Sequence, residues 1–319
     1  MNYVKFEEIV SLFETAKDKE DNLLNMHYLS IKQNDQLFSH SFNDYDQPSD
    51  IRSISKTVLT ITACIVMDMA KKGLYPNFNE KTFIFPIIKD RVNLTNLDNL
   101  DRLNKIKLKH LLNHTVGYDK VILMRDDIKD IDPYTYLDYV INHSLVFNPG
   151  DYYLYSNAGF YLLSVVLQEF IQQDLLDFID IHLFQKLNIT NYKWEKYGNY
   201  LAGATRLFMY PNDLIKIGDV LLNKGIYKNK EIIATESFEK IVEITQLTPE
   251  VDTPTAVFRR YGYGSGIWLA KDNIYFGHGT DGQTLAMIPD KRTIIVTLAS
   301  QQDVKKLEML INKIIIDYI

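Results

Sequence analysis

The chain has 319 residues, 46% of them apolar and 24% charged, enough to bury the core of one large domain or of two interleaved lobes. A formal net charge of −6, a pI of about 5.7 and the lack of any basic run exclude a nucleic-acid partner. Cys64 is the single cysteine, which excludes an intrachain disulfide and, among Ala63, Ile65 and Val66, reads as a core residue.

The first eight residues carry acids where an export signal would be basic and then apolar, so the expected location is cytoplasmic. An amphipathic helix follows, with Phe6, Ile9, Val10 and Phe13 on one face. Strands around Met26 to Ile31 and Gln36 to Phe42 are joined by the turn Gln33-Asn34-Asp35. From Val58 to Ala70 the chain is apolar except at Thr60, Thr62 and Asp68, and it stops at Lys71-Lys72-Gly73, which predicts a buried helix. No run is expected to reach the ~20 apolar residues of a membrane span.

Helical patterns dominate from about residue 55 to 245, including Tyr136 to His143, Ala158 to Gln172 and Leu175 to Leu187. Strand-like runs return at Gly262 to Ala270, Asn273 to Gly277, Thr284 to Ile288 and Thr293 to Ala299. A helix through Leu307, Leu310, Ile311 and Ile314 closes the chain. Strands at both ends with helices between them imply an α+β domain over 1–319, whose antiparallel sheet is completed by both termini. The sheet lobe would take about 1–55 and 246–319, and the helical lobe about 56–245.

Two segments carry chemistry. Ser53 and Lys56 stand three apart at the start of the buried helix and so share a face, supplying a nucleophile and a base. At a helix N-terminus the dipole favours developing negative charge, and the Ser53 N–H is an oxyanion donor. Burial against apolar walls lowers an ammonium pKa, which has to fall from ~10.4 toward roughly 7 to 8 for a Lys to act as a base at neutral pH. Ser55 points about 100° away from Lys56 and is the weaker nucleophile. Ser237 and Lys240 have the same spacing but lie in an exposed-looking run that reads as an ordinary helix start.

The second segment runs Phe147-Asn-Pro-Gly-Asp-Tyr-Tyr-Leu-Tyr-Ser-Asn157, where a Pro-Gly turn presents Tyr155 and Asn157. Tyr75, Tyr197, Tyr210 and Tyr227 also precede an Asn by two residues, so the pair alone selects nothing. Asn157 either serves the site or caps the helix that it opens. His278, between Gly277 and Gly279, contacts a substrate carboxylate or lines the cleft. His110 and His114 have the spacing of a metal pair, but no Glu follows and no third ligand is apparent. They read as helix-end packing, and neither metal nor cofactor is expected. Arg125 to Pro133 reads as a charged surface loop, and the loops Tyr118 to Pro133 and Leu247 to Arg260 would set specificity.

The Ser53-Ile-Ser-Lys56 start, the Ile106-Lys-Leu-Lys-His-Leu-Leu-Asn-His-Thr-Val-Gly117 segment and the Phe147 to Asn157 run resemble the serine β-lactamase and penicillin-binding-protein superfamily. The branch in question holds class C β-lactamases, D-alanyl-D-alanine carboxypeptidases, esterases and 6-aminohexanoate-dimer hydrolases. The likeness continues through Ala204 to Gly225 and ends in Phe276-Gly-His-Gly-Thr-Asp-Gly-Gln283, covering about residues 25 to 300. Thr280 stands where many members have Gly, and the Gly-x-x-Gly-Gln ending is similar to the esterase and amide-hydrolase branch. The resemblance implies a β-lactamase/transpeptidase-like fold and a role for each matched residue. Ser53 attacks the carbonyl, Lys56 and Tyr155 carry the proton, and Asn157 positions substrate or Lys56. The strand of His278 and Gly279 binds substrate, with Thr280 giving the second oxyanion N–H and Asp281 beside it. The implied activity is acyl-serine hydrolysis of a small ester, amide or peptide. The alternatives are a D-amino-acid peptidase or β-lactamase, and a non-catalytic binding or sensor protein on the same fold.

Overall fold

A computed structural model describes residues 1–251 and 258–319. In chain order the principal elements are α1 (Tyr3–Thr15), β1 (Met26–Gln33), β2 (Gln36–Ser41), α2 (Ser55–Lys71), α3 (Asn157–Ile171), α4 (Pro211–Leu222), β3 (Gln246–Val251), β4 (Arg260–Tyr263), β5 (Trp268–Ala270), β6 (Tyr275–Gly279), β7 (Gln283–Ile288), β8 (Thr293–Ala299) and α5 (Lys305–Asp317). Contacts divide the chain into two compact units. The first is Met1–Ile54, Ile189–Lys193 and Leu207–Ile319, and the second is Ser55–Asn188 and Trp194–Arg206. Of the loop Leu247 to Arg260 that the sequence marks for specificity, residues 252–257 lie outside the described residues.

The first unit is built on an eight-stranded sheet in the order β3-β4-β5-β6-β7-β8-β1-β2, antiparallel throughout. The N-terminal hairpin therefore completes the sheet that the C-terminal strands begin. β8, Thr-Ile-Ile-Val-Thr-Leu-Ala, is buried at every position because both of its faces are covered. Ile295 and Ala299 pack with Phe6, Ile9, Val10 and Phe13 of α1 and with Leu307, Leu310, Ile311 and Ile314 of α5. On alternate positions, Ile294 of β8 and Leu285 of β7 lie against Gly218 of α4. Ile311→Ala, which empties a fully buried site of this cluster, is expected to cost about 2–5 kcal/mol. Urea unfolding checks this through a lower midpoint at unchanged slope, and a loss below about 1 kcal/mol would show that α5 is not part of the packed core.

Five readings need correction. The run Gly262 to Ala270 is two strands, β4 and β5, paired Tyr263 to Trp268. The chain reverses at Gly264-Ser265-Gly266, where Gly266 sits at φ +67°, and continuing aromatic and aliphatic residues hide this turn from a pattern search. Leu175 to Leu187 is α-helical only to Ile179, then becomes a π turn, Asp180–Phe184, and a 3-10 turn, Gln185–Leu187. Arg125–Ile128 forms one helical turn within the charged loop. Ser237 lies in helix Thr235–Val242 with its side chain buried, not exposed. Finally, Arg52–Lys71 is by itself long and apolar enough to cross a membrane, but 83% of that window is buried inside the protein, which marks a core helix.

Helices Pro211–Leu222 and Thr235–Val242 group with the sheet rather than with the preceding helices. The second unit is helical, with α2 and α3 packed together and the short helix Leu108–Leu112 against α3.

Candidate active site

In the second unit, α2 is buried from Ser55 to Asp68 around its whole circumference, so Lys56 is enclosed with only 1% of its surface exposed. Its Nζ donates to Asn157 Oδ1 at 2.9 Å and to the Ala204 carbonyl at 3.2 Å. Burial lowers the Lys56 pKa to about 7. The rings of Tyr155 and Phe160, with centroids 4.9 and 6.0 Å from Nζ, pull the other way. Cation–π attraction is worth about 0.5–2 kcal/mol, whereas burying an ammonium costs several, so burial wins. A neutral lysine amine has two hydrogens and one lone pair. Two carbonyl-type acceptors take the hydrogens, and the lone pair is then the basic site.

Asn157 is the first residue of α3, and the cap is the residue before it. The Ser156 hydroxyl accepts from the Ala158 N–H and donates to the Ile122 carbonyl at 2.9 Å. The Asn157 Nδ2 donates to the Leu123 carbonyl at 3.1 Å, which fixes the amide with its oxygen toward Lys56. The side chain thus serves Lys56, and the capping alternative falls to Ser156.

The Tyr155 loop hangs on residues 114–117. The N–H groups of Phe147, Gly150 and Leu154 donate to the carbonyls of Gly117, Thr115 and His114 at 3.0, 2.8 and 2.9 Å. Gly117 sits at φ +117°, and a Cβ there would lie 2.4 Å from the Phe147 carbonyl oxygen, so only glycine fits. His114 is fully buried, with its ring 4.4 Å from that of Tyr155. Burial, then the charge of Lys56, push its pKa well below the usual value, so it packs as a neutral imidazole. This support for Tyr155 is missed by a reading that treats His110 and His114 alike as helix-end residues. The available signal was their shared segment, Ile106 to Gly117, within the family resemblance. His110 does serve the helix end, where its Nδ1 accepts the Lys107 N–H at 3.1 Å.

In the first unit, Ser53 lies half-buried in the 3-10 turn Arg52–Ile54. That turn runs on into α2, so Ser53 and Lys56 are three residues apart on one helical run, Arg52–Lys71. It packs on β6 so closely that a Cβ on Gly279 would stand 2.7 Å from Arg52 Cβ and 3.0 Å from the Ile51 carbonyl oxygen. Arg52 occupies left-handed backbone space, φ +51°. Its guanidinium meets Asp50 Oδ2 at 2.9 Å and Asp281 Oδ2 at 2.8 Å, while Asp50 Oδ1 accepts the Arg52 N–H at 2.9 Å.

Asp281, at φ +69°, belongs to the tight turn Thr280–Gly282 that joins β6 to β7. Gln283, the end of the third motif, accepts the Ala299 N–H at 3.0 Å and donates to its carbonyl at 2.6 Å, bracing β7 against β8. His278 Nε2 lies 3.3 Å from Glu308 Oε1 of α5. The second unit therefore gathers Lys56, Tyr155 and Asn157, while the first gathers the Ser53 turn with Gly279 and Asp281, and Thr280 stands exposed at the start of its turn. Asp281 and His278 are turned toward charged side chains of the protein itself. No cluster able to hold a metal is found among the described residues.

The Beta-lactamase family profile matches residues 32–315. The chain belongs to the β-lactamase family. Penicillin-binding protein 4* of Bacillus subtilis (strain 168) is 25% identical over 190 residues, which cover 58% of this chain but only 40% of that longer protein. A Bacillus anthracis structure assigned as a 6-aminohexanoate-dimer hydrolase superposes with a TM-score of 0.73 at 20% identity, covering 92% of this chain and 78% of that one. A D-stereospecific amidohydrolase from Streptomyces sp. superposes with a TM-score of 0.72 at 14% identity, covering 98% of both chains. These superpositions show the β-lactamase/transpeptidase-like fold.

Proposed function

We propose that the protein hydrolyses a small ester or amide through a covalent acyl-enzyme on Ser53. The observation that carries this reading is Lys56, a fully buried amine brought to about 7 and held by two acceptors beside the ring of Tyr155. A base near neutrality is what proton abstraction from a serine hydroxyl requires. The Ser53 proton passes to Lys56, directly or through the Tyr155 hydroxyl, as Oγ bonds to the substrate carbonyl carbon. The N–H groups of Ser53 and Thr280 receive the oxyanion, each worth about 3–4 kcal/mol when removed singly. Collapse of the tetrahedral intermediate breaks the ester C–O or amide C–N bond, and the leaving group departs with the proton. Water then repeats the sequence and frees Ser53.

Two structural relatives, one assigned as a 6-aminohexanoate-dimer hydrolase and one a D-stereospecific amidohydrolase, support the amide half of this reading. The reading is tested by initial rates on p-nitrophenyl butyrate, a D-amino-acid p-nitroanilide and a chromogenic cephalosporin. Turnover of the ester or the anilide is expected, and Tyr155→Phe should lower its kcat by about 100- to 1000-fold with little change in KM. Faster turnover of the cephalosporin than of both others would move the substrate class to β-lactams. No turnover of any of them, with binding unchanged by Ser53→Ala, would identify a non-catalytic binding protein.

A further inference from the structure

The turn that holds Ser53 is not an ordinary helix start. The residue before the nucleophile is an arginine in left-handed backbone space, where a side chain with a Cβ persists only if its surroundings hold it. Here the holding groups are visible. Asp50, two residues upstream, binds both the Arg52 N–H and one guanidinium nitrogen, closing a small ring around the turn. The other guanidinium nitrogen reaches Asp281 Oδ2 at 2.8 Å. Asp281 follows Thr280 and is itself in left-handed space, and its carbonyl is fixed by the Gln301 N–H at 3.0 Å. The side chains of Arg52, Asp50 and Asp281 are 21%, 9% and 26% exposed, so the ion pairs are shielded from most solvent screening.

We propose that Arg52 is a positioning residue, a clamp whose two carboxylate contacts set the Ser53 turn in register with the Thr280 turn. The inference rests on the reading that Ser53 is the nucleophile and that the Ser53 and Thr280 N–H groups receive the oxyanion. Gly279 permits the close approach of the two turns, and Arg52 fixes their relative placement at that approach. Such a clamp acts in the transition state more than in substrate binding, because an oxyanion is sensitive to donor placement at the level of a few tenths of an ångström. Asp281 accordingly is a partner of Arg52 and not a contact of the substrate.

The test compares Arg52→Gly, Arg52→Lys and Asp281→Asn with the wild type on p-nitrophenyl butyrate, with a thermal melt of each sample. Arg52→Gly is the informative variant because glycine accepts the left-handed backbone without strain, so its fold should survive while the clamp is gone. Its kcat is expected to fall by about 10- to 100-fold, with KM within about threefold of wild type. Asp281→Asn should lose less, because an amide oxygen still accepts from the guanidinium. Arg52→Lys, which retains the charge but not the fork, should recover part of the loss. Wild-type kcat in a folded Arg52→Gly would overturn the proposal, as would a loss that appears only in KM. Ser53→Ala is run alongside. If it is inactive while Arg52→Gly is unimpaired, only the clamp fails, whereas activity in Ser53→Ala removes the nucleophile assignment and the clamp with it.

Discussion

Ser53→Ala is expected to lower turnover of an ester substrate on the order of 10⁵-fold, to near the background rate. Neither of the two other candidate serines is placed to take over the covalent step. Ser55 starts the next part of the helical run with its side chain fully buried, and Ser237, the other serine three residues before a lysine, is buried in a separate helix of the first unit. Ser53 is half-buried, so its loss as a hydroxyl should change stability by less than about 1 kcal/mol. Activity and melting temperature should therefore separate cleanly in this variant. Retention of a tenth of the wild-type kcat would exclude Ser53 as the nucleophile.

Lys56→Met is expected to affect activity and the pH dependence of stability together. In the folded protein the Lys56 pKa is lowered from 10.5 to about 7 by burial. Between those values the unfolded chain holds a proton that the folded chain lacks, so stability rises with pH across this window. The lysine penalty, about 5 kcal/mol from a shift of that size, is fully present below pH 7 and gone above pH 10.5. Methionine removes the titration, but it leaves Asn157 Oδ1 and the Ala204 carbonyl without this donor, at about 1–3 kcal/mol each. The two effects oppose each other at neutral pH, and the slope distinguishes them. From pH 7 to pH 9 the wild type should gain about 2 kcal/mol relative to Lys56→Met.

Over the same range wild-type kcat/KM should rise through an apparent pKa near 7, as the base loses its proton. That limb should be missing from the mutant, whose rate should be lower by about 1000-fold or more. Urea unfolding and initial rates at matched pH values check both halves. A stability difference that does not change with pH would show that Lys56 is charged in the folded state.

Much of this is legible in the sequence because it rests on local periodicity. The core face of α1 and the four apolar positions of α5 follow from a spacing of 3.6 residues, and the limits of β8 from an unbroken apolar and β-branched run. Ser53, Lys56 and Tyr155 stand out because two motifs occur together in a fixed order. The Gly264-Ser265-Gly266 turn is hidden because glycine already recurs at Gly262 within the strand, and a single serine is the only polar residue to announce the reversal before the apolar run resumes at Ile267. The grouping of α4 with the sheet is equally hidden, since a helix does not carry the address of the surface that its apolar face will cover. Nor can periodicity show that Arg52 would span two carboxylates more than two hundred residues apart, or that the ring of His114 would lie against Tyr155.

The central claim, that Ser53 is an activated nucleophile, is tested most directly by intact-protein mass after brief exposure to a fluorophosphonate, followed by peptide mapping. Attack by Ser53 Oγ forms the O–P bond and expels fluoride. The expected result is one adduct per chain, mapped to Ser53, formed faster at pH 8 than at pH 6 and missing in Ser53→Ala. An adduct mapped to another residue, or one that persists undiminished in Ser53→Ala, would contradict the account.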